Sequence, residues 1–141
     1  LDLGPPEKGP ARMGTAITRL GSEVQLQVVD GTAEVELPMG ARHLDLVLAA
    51  LVDNAVRHGA APVRVSATTT SLTVEDAGDG MSEKDRKYAF RLFHRGATAS
   101  QQPGVGLALV DRVVFRYGGH VQLGPSELGG LAVTVDLRRR D

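Results

Sequence analysis

The sequence predicts an α+β fold, a sheet with helices packed on one face. Three observations carry that prediction. Leu44, Leu48, Leu51 and Ala55 recur at three- and four-residue spacing, which makes one apolar helical face over residues 44–59. Val63, Val65 and Ala67, and later Val133, Val135 and Leu137, alternate with their neighbours in the period of a half-buried strand. Turn residues recur at short intervals, so hairpins are frequent and helices and strands are mixed along the chain.

Taken in order, residues 1–12 carry Gly4-Pro5-Pro6 and Gly9-Pro10 with mixed charge, and are expected to be a linker or disordered tail. The domain is expected at 13–137 and a short tail at 138–141. Met13 to Leu20 suits a short helix stopped at Gly21. Val24, Leu26 and Val28 alternate with Gln25 and Gln27 as a strand, and Asp30-Gly31 signals a hairpin returning through Thr32 to Leu37. Pro38-Met39-Gly40 breaks the chain before the long helix. Gly59 is expected to end that helix in the left-handed conformation. Val63 to Ala67 and Leu72 to Val74 form a second strand pair, and Ser82 looks like the N-cap of a helix over about 83–90. Residues 94–104 lack periodicity and read as a loop. Val105 to Tyr117 is a third helix, ended by Gly118-Gly119. His120 to Leu123 and Ala132 to Leu137 are the last strands, and His43 and His120 fall at element edges as surface residues.

The 141 residues suffice for one ordinary domain with its own core. There is no cysteine, which excludes disulfides, thiolate metal sites and thiol catalysis. A net charge of −1 gives no electrostatic reason to expect nucleic acid or an anionic membrane. No apolar run approaches the ~20 residues that cross a bilayer. The chain begins with Leu1 and shows no signal peptide, so it is expected to be a piece of something longer.

Four stretches carry chemistry. Asp76-Ala77-Gly78-Asp79-Gly80 comes directly off a strand. A carboxylate there accepts a hydrogen bond from an exocyclic amine such as that of adenine, and the glycines let a flat ligand approach the backbone. The same residues also suit a plain glycine-rich turn with a solvated Asp. Gly104-Val105-Gly106-Leu107 opens a helix whose first N–H groups attract phosphate, although neither a Walker loop nor a dinucleotide fingerprint is present. Asn54 sits late in an apolar helix, with Arg57 and His58 one turn on. Its carbonyl oxygen suits magnesium and Arg57 suits phosphates; capping and solvation are the alternatives. Phe90 and Phe93 anchor a short helix into the core ahead of a polar loop that can act as a lid.

In order and spacing these stretches resemble the ATP-binding catalytic domain of bacterial sensor histidine kinases, of the GHKL or Bergerat superfamily shared with gyrase, Hsp90 and MutL. The N box is Leu51 to His58, the first glycine box Asp76 to Gly80, the F box Phe90 to Phe93 and the second glycine box Gly104 to Leu107. The resemblance spans about residues 20–137. It implies a two-layer α/β sandwich, with a mixed, mostly antiparallel sheet and about three helices on one face. It implies Mg2+ and ATP as cofactors. Asn54 would ligate the metal, Arg57 and Arg95 would contact phosphates, and His58 would lie near phosphate or ribose. Asp76 would receive the adenine amine, with Gly78, Gly80 and Met81 beside it. Gly104, Val105, Gly106 and Leu107 would hold phosphates, and residues 94–104 would form the lid.

The family's pattern is departed from at Ala50, Gln102 and Leu131, where a second Asn, a further glycine and a Thr are frequent. None of the four histidines (His43, His58, His94, His120) is followed by an acidic residue, the pattern of a phosphoacceptor. The acceptor and its base are therefore expected on a separate dimerisation domain. The implied function is binding Mg-ATP and presenting its γ-phosphate to that histidine, for later transfer to a response regulator. The implied setting is the cytoplasm, in a parent protein of a family often anchored in the membrane, without membrane contact from this segment. An anti-sigma-factor-type serine kinase and a degenerate nucleotide- or partner-binding module are the alternatives. The former usually carries Glu where this chain has Ala50.

Overall fold

A computed structural model of the chain describes residues 3–87 and 104–138. The elements are β1 (Ala11–Arg12), α1 (Met13–Leu20), β2 (Leu26–Val28), β3 (Glu36–Leu37), α2 (Ala41–His58), β4 (Val63–Thr68), β5 (Ser71–Glu75), α3 (Gly104–Arg116), β6 (His120–Pro125) and β7 (Leu131–Asp136). Residues 83–87 are helical as well. The Ser82 hydroxyl accepts the Asp85 N–H at 3.1 Å, so the expected N-cap is formed.

Five strands form one sheet in the order β2-β4-β5-β7-β6. Only β2 and β4 run parallel; the other neighbours are antiparallel. This is the mixed, mostly antiparallel sheet expected. Its register stacks apolar residues in rows: Val65 faces Val74, Val74 faces Val133, and Leu72 and Val121 both face Val135. Because side chains alternate across a strand, these residues share one face. They meet the buried stripe of α2, namely Leu44, Val47, Leu48, Leu51, Val52 and Ala55. Each large side chain so buried is worth roughly 1.5–3 kcal/mol in transfer free energy. Helix α3 packs on α2 and β6, and α1 packs on α2 as well.

Two expectations about chain organisation are corrected. Asp30-Gly31 does turn, with Gly31 at φ +87° and the Thr32 N–H bonded to the Val29 carbonyl, but no β2–β3 hairpin follows. Instead β3 pairs with β1, and β2 joins β4 as a parallel edge strand. The apolar period of residues 24–37 shows which side chains go inward but not which strand they pair with. Leu37 and Met39 are both buried, and Leu37 pairs with Ala11 of β1 rather than with β2.

Residues 3–12 also depart from a linker. Leu3 is fully buried, and Ala11 and Met13 join the core. His43, expected on the surface, is fully buried beneath this N-terminal strap. Its Nε2 lies 2.7 Å from the Leu3 carbonyl, and its Nδ1 meets the Tyr117 hydroxyl in a very short contact. That hydroxyl accepts the Glu7 N–H at 2.9 Å and the Gly40 N–H at 3.2 Å. Arg42 reaches the Leu3 carbonyl and the Glu7 carboxylate, and Arg116 reaches the Gly4 carbonyl. Proline and glycine made this stretch look like linker; its fixed geometry comes from partners far away in sequence. Of the expected tail, Arg138 is described, and it holds Asp136 in an ion pair at 2.8 Å.

Candidate functional site

Helix α2 buries two polar side chains in an otherwise apolar stripe, His43 near its start and Asn54 near its end. Asn54 falls in the buried stripe, one turn past Leu51 and beside Ala55, and is itself buried. Its side-chain amide makes no hydrogen bond to another described residue. A buried amide left that way has donors and an acceptor available for a ligand. His58, one turn later, is exposed at the rim. Together with Asp76, Gly80, Met81 and Leu131, these two residues line one cleft.

Asp76 closes the base of the cleft. It follows directly on β5, and its backbone continues the pairing with β7: its N–H donates to the Leu131 carbonyl at 3.0 Å and its carbonyl accepts the Gly130 N–H at 3.1 Å. The side chain is buried. Its Oδ1 accepts the Gly78 N–H at 2.9 Å and the Leu131 N–H at 3.3 Å. Its Oδ2 has no partner among the described residues. Gly80 takes φ +72° as the loop turns against the Gly130 carbonyl, a backbone only glycine adopts freely. The plain solvated turn is thus not what forms: this carboxylate is buried, half-satisfied and aimed by two backbone donors.

The other expected residues divide. Arg57 is exposed and paired with Asp53 at 2.9 Å, and it is not among the residues lining the cleft. Gly104 and Gly106 open α3 as expected. Gly106 faces the carbonyl of Ala50, one turn before Asn54, so the start of α3 crosses α2 next to the cleft. The Leu107 side chain is buried in the core and holds the helix down. The side chain of Val105, the F box Phe90 to Phe93, Arg95 and the remainder of the expected lid at 94–103 lie outside the described residues.

Gly59, Gly130 and the backbone of Leu131 are site features that residue types did not reveal. Leu131 stands where a Thr is frequent. What it supplies to Asp76 is its N–H and C=O, which any residue other than proline provides. Among the described residues no group of three or more His, Asp or Glu is placed to hold a metal. No described helix is long and apolar enough to cross a membrane.

Comparison with known proteins agrees with this geometry. Residues 39–141 match the family model described as histidine kinase-, DNA gyrase B-, and HSP90-like ATPase. The chain is 41% identical over 102 residues to the sensor-type histidine kinase PrrB of Mycobacterium leprae (strain TN), covering 68% of this chain and 22% of that protein. It is 31% identical over 121 residues to the signal transduction histidine-protein kinase AfsQ2 of Streptomyces coelicolor, covering 79% of this chain and 23% of that one. It thus spans less than a quarter of these relatives. The crystal structure of the ATP binding domain of PrrB from Mycobacterium tuberculosis shares the fold, with a TM-score of 0.69 at 23% identity over 94% of this chain and 98% of the other. The family model covers well over half of the sequence: the chain belongs to the histidine kinase-, DNA gyrase B- and HSP90-like ATPase family.

Proposed function

We propose that this domain binds Mg-ATP for a sensor histidine kinase and presents the γ-phosphate to a histidine on a separate helical domain of the parent protein. The phosphoryl group would pass later to a response regulator. The observation that carries the reading is Asp76. Two backbone N–H groups occupy Oδ1, and Oδ2 is left to accept the 6-amino group of adenine. Asn54, buried in the same cleft with no side-chain partner among the described residues, would offer its carbonyl oxygen to magnesium. A metal ion held by Asn54 would supply positive charge against the phosphates. His58 would lie at the phosphate or ribose end. Arg57 can turn to the phosphates because an exposed pair such as Asp53–Arg57 is worth at most about 1 kcal/mol.

Catalysis here would rest on positioning and charge, since no acceptor pattern accompanies the four histidines. The setting would be the cytoplasmic side of a membrane-anchored parent. Calorimetric titration with Mg-ATP tests the reading. Wild-type protein should bind, and Asp76→Asn should lose at least about tenfold in affinity, the weight of one charge-assisted hydrogen bond. Equal affinity in both proteins would sink the assignment of the base.

A further inference from the structure

Gly59 ends α2, yet not for the usual conformational reason. Its φ is −113°, which any residue adopts, and its N–H caps the Ala55 carbonyl without a left-handed turn. By contrast, Gly118 ends α3 at φ +75°. What distinguishes Gly59 is a contact. A Cβ at this position would stand 2.3 Å from Asp76 Cγ, 2.5 Å from Oδ2 and 2.6 Å from Oδ1, far inside van der Waals distance. The three nearest atoms all belong to that one carboxylate.

The neighbouring backbone explains why the carboxylate cannot simply step aside. The Ala77 N–H donates to the Ala60 carbonyl at 2.9 Å, which ties the loop after β5 to the end of α2. A Cβ on Gly78 would meet Gly59 Cα at 2.8 Å, so the two backbones run in contact. On the far side, a Cβ on Gly130 would come within 2.0 Å of Asp76 Oδ1. The carboxylate therefore lies in a slot between Gly59 and Gly130, with Oδ1 held by the N–H groups of Gly78 and Leu131.

We propose that Gly59 is a positioning residue for Asp76: by lacking a side chain it lets the carboxylate lie against the end of α2 with Oδ2 turned to the cleft, and so sets the preference for an amino-purine base. The proposal rests on the ATP-binding reading above and deepens it. Gly59 touches no nucleotide in this scheme and acts only through Asp76. Any side chain there pushes the carboxylate off its two backbone donors and misdirects Oδ2. Gly130 is the poorer probe, because a Cβ there also strikes the Asp76 carbonyl and the Gly78 nitrogen.

The test compares two ligands by calorimetry, each with magnesium: ATP and purine riboside 5′-triphosphate, which lacks the 6-amino group. The proteins are wild type, Gly59→Ala, Asp76→Asn and, as a control, Gly124→Ala, whose added Cβ meets nothing within 4 Å. Wild type and Gly124→Ala should favour ATP by about tenfold or more. Gly59→Ala should lose that preference down to the level of Asp76→Asn, while keeping its affinity for the analogue. A folded Gly59→Ala protein that still favours ATP overturns the proposal. So does an equal loss for both ligands, which marks a merely structural glycine. Should Gly59→Ala fail to fold, Asp76→Glu is read in its place, since an extra methylene drives the carboxylate into Gly59; a retained ATP preference there refutes the slot. A wild-type protein that binds the two ligands equally removes the base reading itself, and the inference with it.

Discussion

Tyr117→Phe removes one oxygen from the junction between the N-terminal strap and the two central helices. The magnitude follows from what that oxygen does. The Leu3 carbonyl accepts from His43 Nε2 at 2.7 Å, so Nε2 carries the ring proton and Nδ1 is the acceptor. The Tyr117 hydroxyl donates to Nδ1, and its lone pairs accept the Glu7 and Gly40 N–H groups. Three hydrogen bonds disappear together. At a net value of about 1 kcal/mol each the loss would be about 3 kcal/mol. The Glu7 and Gly40 contacts are only partly buried, so water recovers some of it. The expected destabilisation is about 2 kcal/mol, or roughly 6–8 °C in Tm for a domain of this size. The edge-on packing of the two rings, with centroids 5.4 Å apart, survives in phenylalanine, so the hydroxyl alone is read. Urea unfolding followed by circular dichroism gives the number, with the slope m expected to stay constant. A loss below about 0.5 kcal/mol would refute the reasoning and show that the strap is held by Leu3 and its arginine contacts instead.

Two further expectations concern the site and the sheet edge. Asn54→Ala should remove most of the gain in ATP affinity that magnesium gives, about tenfold, and leave binding in excess EDTA nearly unchanged; equal losses with and without metal would contradict the ligand role. Asp136 is held down to about 2 by hydrogen bonds from the Arg138 side chain and backbone, against the opposing effect of burial, with the charges of Arg138 and His120 adding to the lowering. A carboxyl whose pKa is lower when folded stabilises the fold fully above its unfolded value near 4, and that stabilisation fades as pH falls from there towards 2. Asp136→Asn should therefore flatten part of the acid limb between pH 4 and 2 in thermal unfolding; an unchanged limb would mean the pair also persists in the unfolded chain.

The elements legible from the sequence are those whose signal is local and long. The α2 stripe from Leu44 to Ala55 spans several turns, and β4, β5 and β7 alternate without interruption, so periodicity alone named them. Pairing was a different matter. Nothing in Leu26–Val28 says that its partner is the later strand Val63–Thr68 rather than the segment after Gly31, because alternation fixes which face of a strand is buried and not which strand lies beside it. The strap was illegible for the same reason: Leu3 and Glu7 find His43 and Tyr117 across the whole chain, and proline-rich composition hides that. In the candidate site, Asp76 and Asn54 stood out because polar residue types at a strand end or in an apolar stripe need an explanation. Gly59 did not, because glycine after a helix already has an ordinary one, and only its φ of −113° and the carboxylate beside it separate the two. The backbone donors of Leu131 leave no trace in residue identity at all.

The uninterrupted course of α2 has a mechanical consequence. His43, near one end, and Asn54, near the other, are about three turns or roughly 16 Å apart on a single rod. A tilt of about 5° pivoting at Asn54 would displace the His43 ring by roughly 1.4 Å on that geometry. Such a shift exceeds the distance tolerance of a hydrogen bond. The strap thus works at the long arm of a lever. Small rotations that the nucleotide cleft would scarcely register are resisted where they are largest, by the bonds joining His43, Tyr117, Glu7 and Leu3.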